Sequence, residues 1–258
     1  MNIRLPALFL ITATAALAQT KPAPELPPAK ATEQWEPVPP VVSVSAGGVP
    51  EDAIVLFDGS NFDAWVSDSK KSSQPRWKLE DGVATPVPDT GSLVTKRAFG
   101  DAQLHLEFRM PVAAAKTGQH RGNSGVLFMG LYEFQVLDSY KNPTYANGQA
   151  ASIYKQHAPL VNAGRAPGEW QTYDIVFVAP RFDAAGKLLS PARMTGFHNG
   201  VLVQHDAVLT GETLHRGFPA YKAHAAKLPL TLQNHSGDRP SFRNIWIREI
   251  ALPEAAKK

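Results

Sequence analysis

Tyr132-Glu133-Phe134-Gln135-Val136-Leu137-Asp138 decides the fold of this chain. Strict alternation sets Tyr132, Phe134 and Val136 on one face and Glu133 and Gln135 on the other, which is the period of a strand. One side is dry and suits a core. The other carries a carboxylate and an amide. Just upstream, Arg121-Gly122-Asn123-Ser124-Gly125 adds a guanidinium and a second amide, so both stretches read as one polar-faced β-hairpin. A cluster of this kind suits the binding and processing of a sugar.

Working outward, the same alternation recurs. Leu104, Leu106 and Phe108 point inward while His105, Glu107 and Arg109 point outward, and Tyr173, Ile175 and Phe177 share a face. Residues 194–197 and 201–203 flank His198-Asn199-Gly200, and Asn-Gly is the preferred pair for a tight type I′ hairpin turn. Residues 54–57 end in Asp58-Gly59 and residues 77–80 in Asp81-Gly82, so both runs read as hairpin arms. Residues 229–235 and 244–250 supply two more alternating strands. Helical periodicity is confined to a turn or two around residues 211–216, and there is no internal repeat. Many short antiparallel strands separated by turn signals predict an all-β fold, a two-sheet sandwich or jelly roll.

The N-terminus reads differently. A short basic start, an apolar run through Leu17 and the small-residue site Ala16-Leu17-Ala18 predict a signal peptide over residues 1–18 and a periplasmic or secreted protein. The apolar run is shorter than the roughly 20 residues of a spanning helix, so no membrane anchor is expected after cleavage. Residues 19–50 are rich in Pro, Ala, Lys and Glu and predict an extended linker. The folded domain is expected over residues 51–253, with a tail at 254–258. The chain has no cysteine, which excludes disulfides and any cysteine-linked lipid. A net charge of +3, with no basic stripe, excludes nucleic acid as the expected partner.

Several motifs together carry a family resemblance: residues 56–65 (Leu-Phe-Asp-Gly-Ser-Asn-Phe-Asp-Ala-Trp), 122–128 (Gly-Asn-Ser-Gly-Val-Leu-Phe), 132–138, 168–175 (Gly-Glu-Trp-Gln-Thr-Tyr-Asp-Ile), 197–200 (Phe-His-Asn-Gly), 232–237 (Leu-Gln-Asn-His-Ser-Gly) and 242–248 (Phe-Arg-Asn-Ile-Trp-Ile-Arg). In order and spacing they resemble the bacterial 3-keto-disaccharide hydrolase family, over nearly all of residues 54–249. The resemblance implies a concanavalin A-like lectin/glucanase jelly roll. It also implies action on sugars oxidised at C3, by elimination of the glycosidic group or by hydration of the resulting glycal. One position departs from the pattern: Asn234 stands where the family often has an acid.

The chemistry can also be weighed residue by residue. A retaining glycosidase needs two carboxyl groups about 5–5.5 Å apart, yet two positions after Glu133 stands Gln135, and Asp138 faces the other way on a regular strand. That favours a reaction with a single base, which takes the C2 proton acidified by a C3 ketone while donors stabilise the enolate. Glu133 and His235 are the two candidates for the base. Arg121, Asn123, Gln135, Asp138, Gln233 and Arg243 are the candidates for holding the sugar, with Glu133, Gln135, Arg121 and Asn123 meeting Gln233 and His235 on one concave sheet. Structural readings stand beside these. Asn123-Ser124-Gly125 can shape a turn, His235 can be a structural histidine, Arg243 can pair with a surface acid, Asp58 and Asp63 can shape the first turn, and Trp170 and Tyr173 are expected to fill the core. His120, His198 and His205 show no zinc spacing, and no cofactor is called for, although a divalent cation stays open. A sugar-binding module without chemistry is the alternative function, and a plain glycosidase drawing a second carboxylate from Glu107 is a third.

Overall fold

The computed structural model describes residues 26–112 and 116–252. The predicted signal peptide, the first residues of the linker and the C-terminal tail lie outside the described residues. The chain divides into two compact units, Met1–Val41 and Val42–Lys258. In the first, the described residues are exposed and hold one short 3₁₀ turn, Ala29–Thr32. The second begins with a small turn closed by the antiparallel bridge between Val44 and Pro50.

Among the described residues, fifteen strands build the second unit: β1 (Ile54–Phe57), β2 (Trp65–Ser67), β3 (Lys78–Glu80), β4 (Val83–Thr85), β5 (Leu93–Phe99), β6 (Ala102–Arg109), β7 (Ser124–Phe128), β8 (Tyr132–Val136), β9 (Trp170–Val178), β10 (Arg181–Phe182), β11 (Leu188–Ser190), β12 (Arg193–His198), β13 (Val201–Val208), β14 (Leu228–Leu232) and β15 (Ser241–Glu249). The larger sheet runs β13-β12-β9-β6-β15-β4-β3, with β1 also paired to β15, and the smaller runs β2-β5-β14-β7-β8. All the pairings are antiparallel. The fold is the all-β jelly-roll sandwich that the alternation implies.

The inward faces are those read from the sequence. Leu104, Leu106 and Phe108 from β6, Tyr173, Ile175 and Phe177 from β9, and Tyr132, Phe134 and Val136 from β8 all lie in one buried core. Aromatic rings join the layers. Phe134 meets Tyr173 edge-on at 5.0 Å between centroids, and Phe128 stacks on Phe177 at 4.7 Å. The Tyr173 hydroxyl crosses the core to donate to the Gln135 carbonyl at 2.9 Å, which ties β8 to the opposite sheet. Burial holds that phenol protonated, well above its ordinary range.

The turn chemistry is mostly as expected. Asp81 and Gly82 take φ of 49° and 72° between β3 and β4, and Asn199 and Gly200 take 53° and 78° between β12 and β13. Three expectations are corrected. β1 is not a hairpin arm, because it pairs with β15 far along the chain, and Asp58-Gly59 instead turns the chain tightly past Gly82. Residues 211–216 form no helix and run as an irregular segment, for a reason given below. Trp170 does not fill the core. It lies three residues before Tyr173 on a strand of period 2, hence on the outer face, with the Arg243 and Arg109 guanidiniums 3.9 and 4.7 Å from its ring.

Gly196 of β12 sets the spacing between layers, since a Cβ there would stand 2.6 Å from the Phe134 ring. Gly196→Ala is expected to cost about 1–3 kcal/mol of stability through overpacking. An unchanged urea midpoint would show that Phe134 can move aside.

Candidate functional site

β8 is an edge strand, and an open edge would leave its backbone groups unpaired. Two irregular segments cover it. Gln135 N donates to Ser152 O at 2.9 Å, Ala151 N to Gln135 O at 2.9 Å, and Tyr154 N to Glu133 O at 3.2 Å. From the other segment, Thr213 N donates to Leu131 O at 2.8 Å, and the Thr213 hydroxyl accepts from Glu133 N at 2.9 Å. This is why residues 211–216 are irregular: Thr213 spends both its N–H and its hydroxyl on β8, and Glu212 N donates to Ala220 O, so no helical turn forms. With the core on one face and these segments along its edge, every residue of β8 is buried.

Above the outer face of β8 lies a cleft of about 260 Å³. Its floor is Glu133, Gln135, Leu127 and Asn123. One rim is Gln233 and His235, which follow β14, and the other is Tyr154, Thr213 and His215 from the covering segments. Glu133 is only 6% exposed, and burial alone pushes its carboxyl up to about 7. Gly125 on the neighbouring strand makes the carboxylate's place, because a Cβ there would collide with Glu133 Oε1. The Gln135 amide, turned so that its nitrogen meets acceptors, donates to Ser124 O at 2.8 Å and to Glu133 Oε1 at 3.1 Å. Asn123 donates to Gln119 O at 2.6 Å, which fixes its side chain. His235 Nδ1 lies 2.9 Å from Ser236 O, so in the neutral ring that nitrogen carries the proton and Nε2 is the basic atom.

The structure therefore brings five of the sequence-predicted residues into one cleft: Glu133, Gln135, Asn123, Gln233 and His235. β14 and β8 flank β7 in the same sheet, and the Gln233 N–H extends the pairing to Gly125 O at 2.9 Å. Three other expected residues are placed elsewhere. Arg121 and Asp138 do not line the cleft and pair with each other, Nε to Oδ2 at 2.7 Å, with Asp138 fully buried and also accepting from Tyr140 N at 3.1 Å. They order the chain after β8. Arg243 stands on the outer face of the larger sheet, on the far side of the core, where it donates to Glu107 Oε2 at 2.6 Å. A bulge in β15 between Arg243 and Trp246 turns both Arg243 and Asn244 outward, and Asn244 donates to Glu107 Oε1 at 2.9 Å. Glu107 is thus committed on the wrong sheet and cannot be a second carboxylate for Glu133.

Asn234, the departure from the family pattern, points away from the cleft. Its amide nitrogen donates to Val87 O at 2.7 Å and Gly91 O at 3.2 Å, bonds that a carboxylate could not make. Tyr154, Thr213 and His215 were not foreseen, since they sit in segments without periodicity. Gly125 carried a signal, because a glycine inside a strand pattern marks a close approach. Among the described residues, no group of three or more His, Cys, Asp or Glu is placed to hold a metal ion.

Comparison with known proteins agrees with this architecture. Residues 52–248 match the family model described as a 3-keto-alpha-glucoside-1,2-lyase-like domain. The chain belongs to this family. A solved structure of a candidate glycosyl hydrolase from Parabacteroides distasonis is 45% identical, with a TM-score of 0.80 over 86% of this chain and 97% of that one. Two further candidate glycosyl hydrolases from the same organism share the fold at 18% and 22% identity. Their TM-scores are 0.58 and 0.55, over 78% and 77% of this chain and 95% and 99% of theirs. No curated protein matches. The 3-keto-alpha-glucoside-1,2-lyase-like domain is thus a carbohydrate-active one, and its cleft is the place to look for that activity.

The raised Glu133 pKa has a consequence for stability. Between about 4.5 in the unfolded chain and about 7 in the native one, only the native state holds the proton. Stability therefore falls as pH rises through that window and is flat above it. Glu133→Gln is expected to melt close to the wild type at pH 4.5 and a few degrees higher at pH 8, as read by thermal denaturation.

Proposed function

We propose that this protein cleaves glycosides whose sugar ring carries a ketone at C3, with Glu133 as the base that removes the C2 proton. One observation carries the proposal: among the described residues Glu133 is the only carboxylate lining the cleft, and burial poises it near neutrality. A carboxylate pair for ordinary glycoside displacement has no counterpart there. A base near pH 7 is instead well matched to a carbon acid activated by an adjacent ketone. The Thr213 hydroxyl, which accepts from Glu133 N and keeps its own proton to donate, and the second N–H of Asn123 are donors available to the enolate oxygen. Loss of the C1 substituent then gives the glycal, and addition of water completes net hydrolysis. We propose further that the protein works outside the cytoplasm, a reading supported by the signal-like sequence of residues 1–18.

Incubation of the mature protein with oxidised and unoxidised disaccharides, with products followed by mass, tests the reading. Cleavage is expected for 3-keto-glucosides and not for the parent glucosides, with solvent deuterium entering C2 of the rehydrated product. Glu133→Gln is expected to keep sugar binding and lose roughly 10²–10⁴-fold in turnover. Because the base must be ionised, kcat/KM of the wild type should rise with pH and level off above about 7. Full activity in Glu133→Gln with an inactive His235→Ala would move the base to Nε2 of His235, and sugar binding without turnover would make the protein a lectin.

A further inference from the structure

Removal of the C2 proton is half of an elimination, and the oxygen that leaves C1 needs a proton as well. Four cleft residues can exchange protons: Glu133, Tyr154, His215 and His235. Glu133 is occupied as the base in the proposed reaction, on which this inference rests. His235 turns its Nδ1 to Ser236 O at 2.9 Å, on the opposite rim of the cleft from Tyr154. His215 Nδ1 faces the Tyr154 hydroxyl at 3.5 Å. Tyr154 remains. Its backbone N–H is bonded to the carbonyl of Glu133 itself, which fixes it beside the base. Its hydroxyl lies 2.7 Å from the Tyr145 hydroxyl, and Tyr145 is exposed, so the pair connects the cleft to solvent. Tyr145 is seated deliberately: Gly148 leaves space that any Cβ would take from its ring. The Lys155 ammonium stands 5.7 Å from the Tyr154 ring and 5.8 Å from that of Tyr145, a positive charge that favours a transient phenolate.

We propose that Tyr154 is the second catalytic residue, the acid that protonates the leaving oxygen and then the base that activates water. In the first half, the C2–H bond breaks and its proton goes to Glu133. The electron pair passes through the enolate into a C1–C2 double bond, the C1–O bond breaks, and the departing oxygen takes the Tyr154 proton. In the second half, the phenolate takes a proton from water as its oxygen bonds to C1, and Glu133 returns its proton to C2. Both residues end as they began, and no further reactant is needed. Burial holds the Tyr154 hydroxyl protonated, well above the ordinary phenol range. An acid that weak suits an alkoxide, which becomes strongly basic only as the bond breaks.

The test varies the leaving group on 3-keto-glucosides. Nitrophenolate leaves without a proton, whereas methanol or a second sugar does not. Tyr154→Phe should slow methyl and disaccharide substrates roughly 10²-fold and the nitrophenyl substrate by less than about threefold, and Tyr145→Phe, at an exposed position, should show the same contrast more weakly. Equal slowing of all three substrates in Tyr154→Phe, or no slowing, would overturn the assignment, as would the contrast appearing in His215→Asn instead. A wild type inert toward every 3-keto-glucoside would remove the underlying reading and this inference with it. A wild type that turns them over, with a flat leaving-group response in both tyrosine variants, would remove this inference alone.

Discussion

The burial of Glu133 is the constraint on which the rest depends. An isolated carboxylate on an exposed strand face would ionise near its ordinary value and act as a solvated charge. Here the opposite face of β8 is locked into the core by Phe134 and by the bond from Tyr173 to Gln135 O, and the edge is sealed by residues 151–154 and 211–215. Gly125 removes the side chain that would otherwise displace the carboxylate. Placing Arg121 in the cleft would undo this, since a nearby guanidinium favours the ionised form. The fold keeps that cation on Asp138, where burial still outweighs it and leaves Asp138 above its ordinary range.

The two outer faces of the sandwich show what separates a site from a polar surface. On the larger sheet the polar groups are paired with one another: His105 with Asp174 at 2.7 Å, Glu107 with Arg243 and Asn244, and the Trp170 ring with two guanidiniums. Those groups are partly exposed and mutually satisfied, which is the ordinary economy of a solvated sheet. On the smaller sheet the carboxylate's hydrogen-bond partner among the described residues is the Gln135 amide, and the cleft is closed in by tyrosine and histidine rims. The same residue types occur on both faces. Pairing distinguishes them.

Most of the fold was legible because strand alternation and turn residues are local signals. The inward set of β6, β8 and β9 and the Asn199-Gly200 turn follow from spacing alone. Pairing between distant strands is not local, so nothing in residues 54–57 announced β15 as their partner. The same gap misplaced Arg243. Alternation says that a residue points outward but not from which of the two sheets, and the bulge beside Asn244 hid even the phase. Half of the site was legible for the opposite reason: Glu133, Gln135 and Gly125 are on paired strands, and Gln233 continues the ladder past β14. Tyr154, Thr213 and His215 have no periodicity to read, because their backbones are shaped by the edge they cover.

That division also separates roles within the cleft. The proposed base rides on a strand buried on every side, where its position is set by the core and by register against β7. The groups facing it ride on irregular segments, which can change length and sequence while still supplying the backbone bonds that seal β8. A jelly roll built this way can keep one dry carboxylate and exchange the walls around it. Substrate choice would then sit in residues 151–154 and 211–215, and the demand for an acidified C–H bond in β8. The coupling between them is the backbone itself: Tyr154 N bonds to Glu133 O and Glu133 N to the Thr213 hydroxyl, so a segment that failed to seat would both remove a wall and admit water to the base.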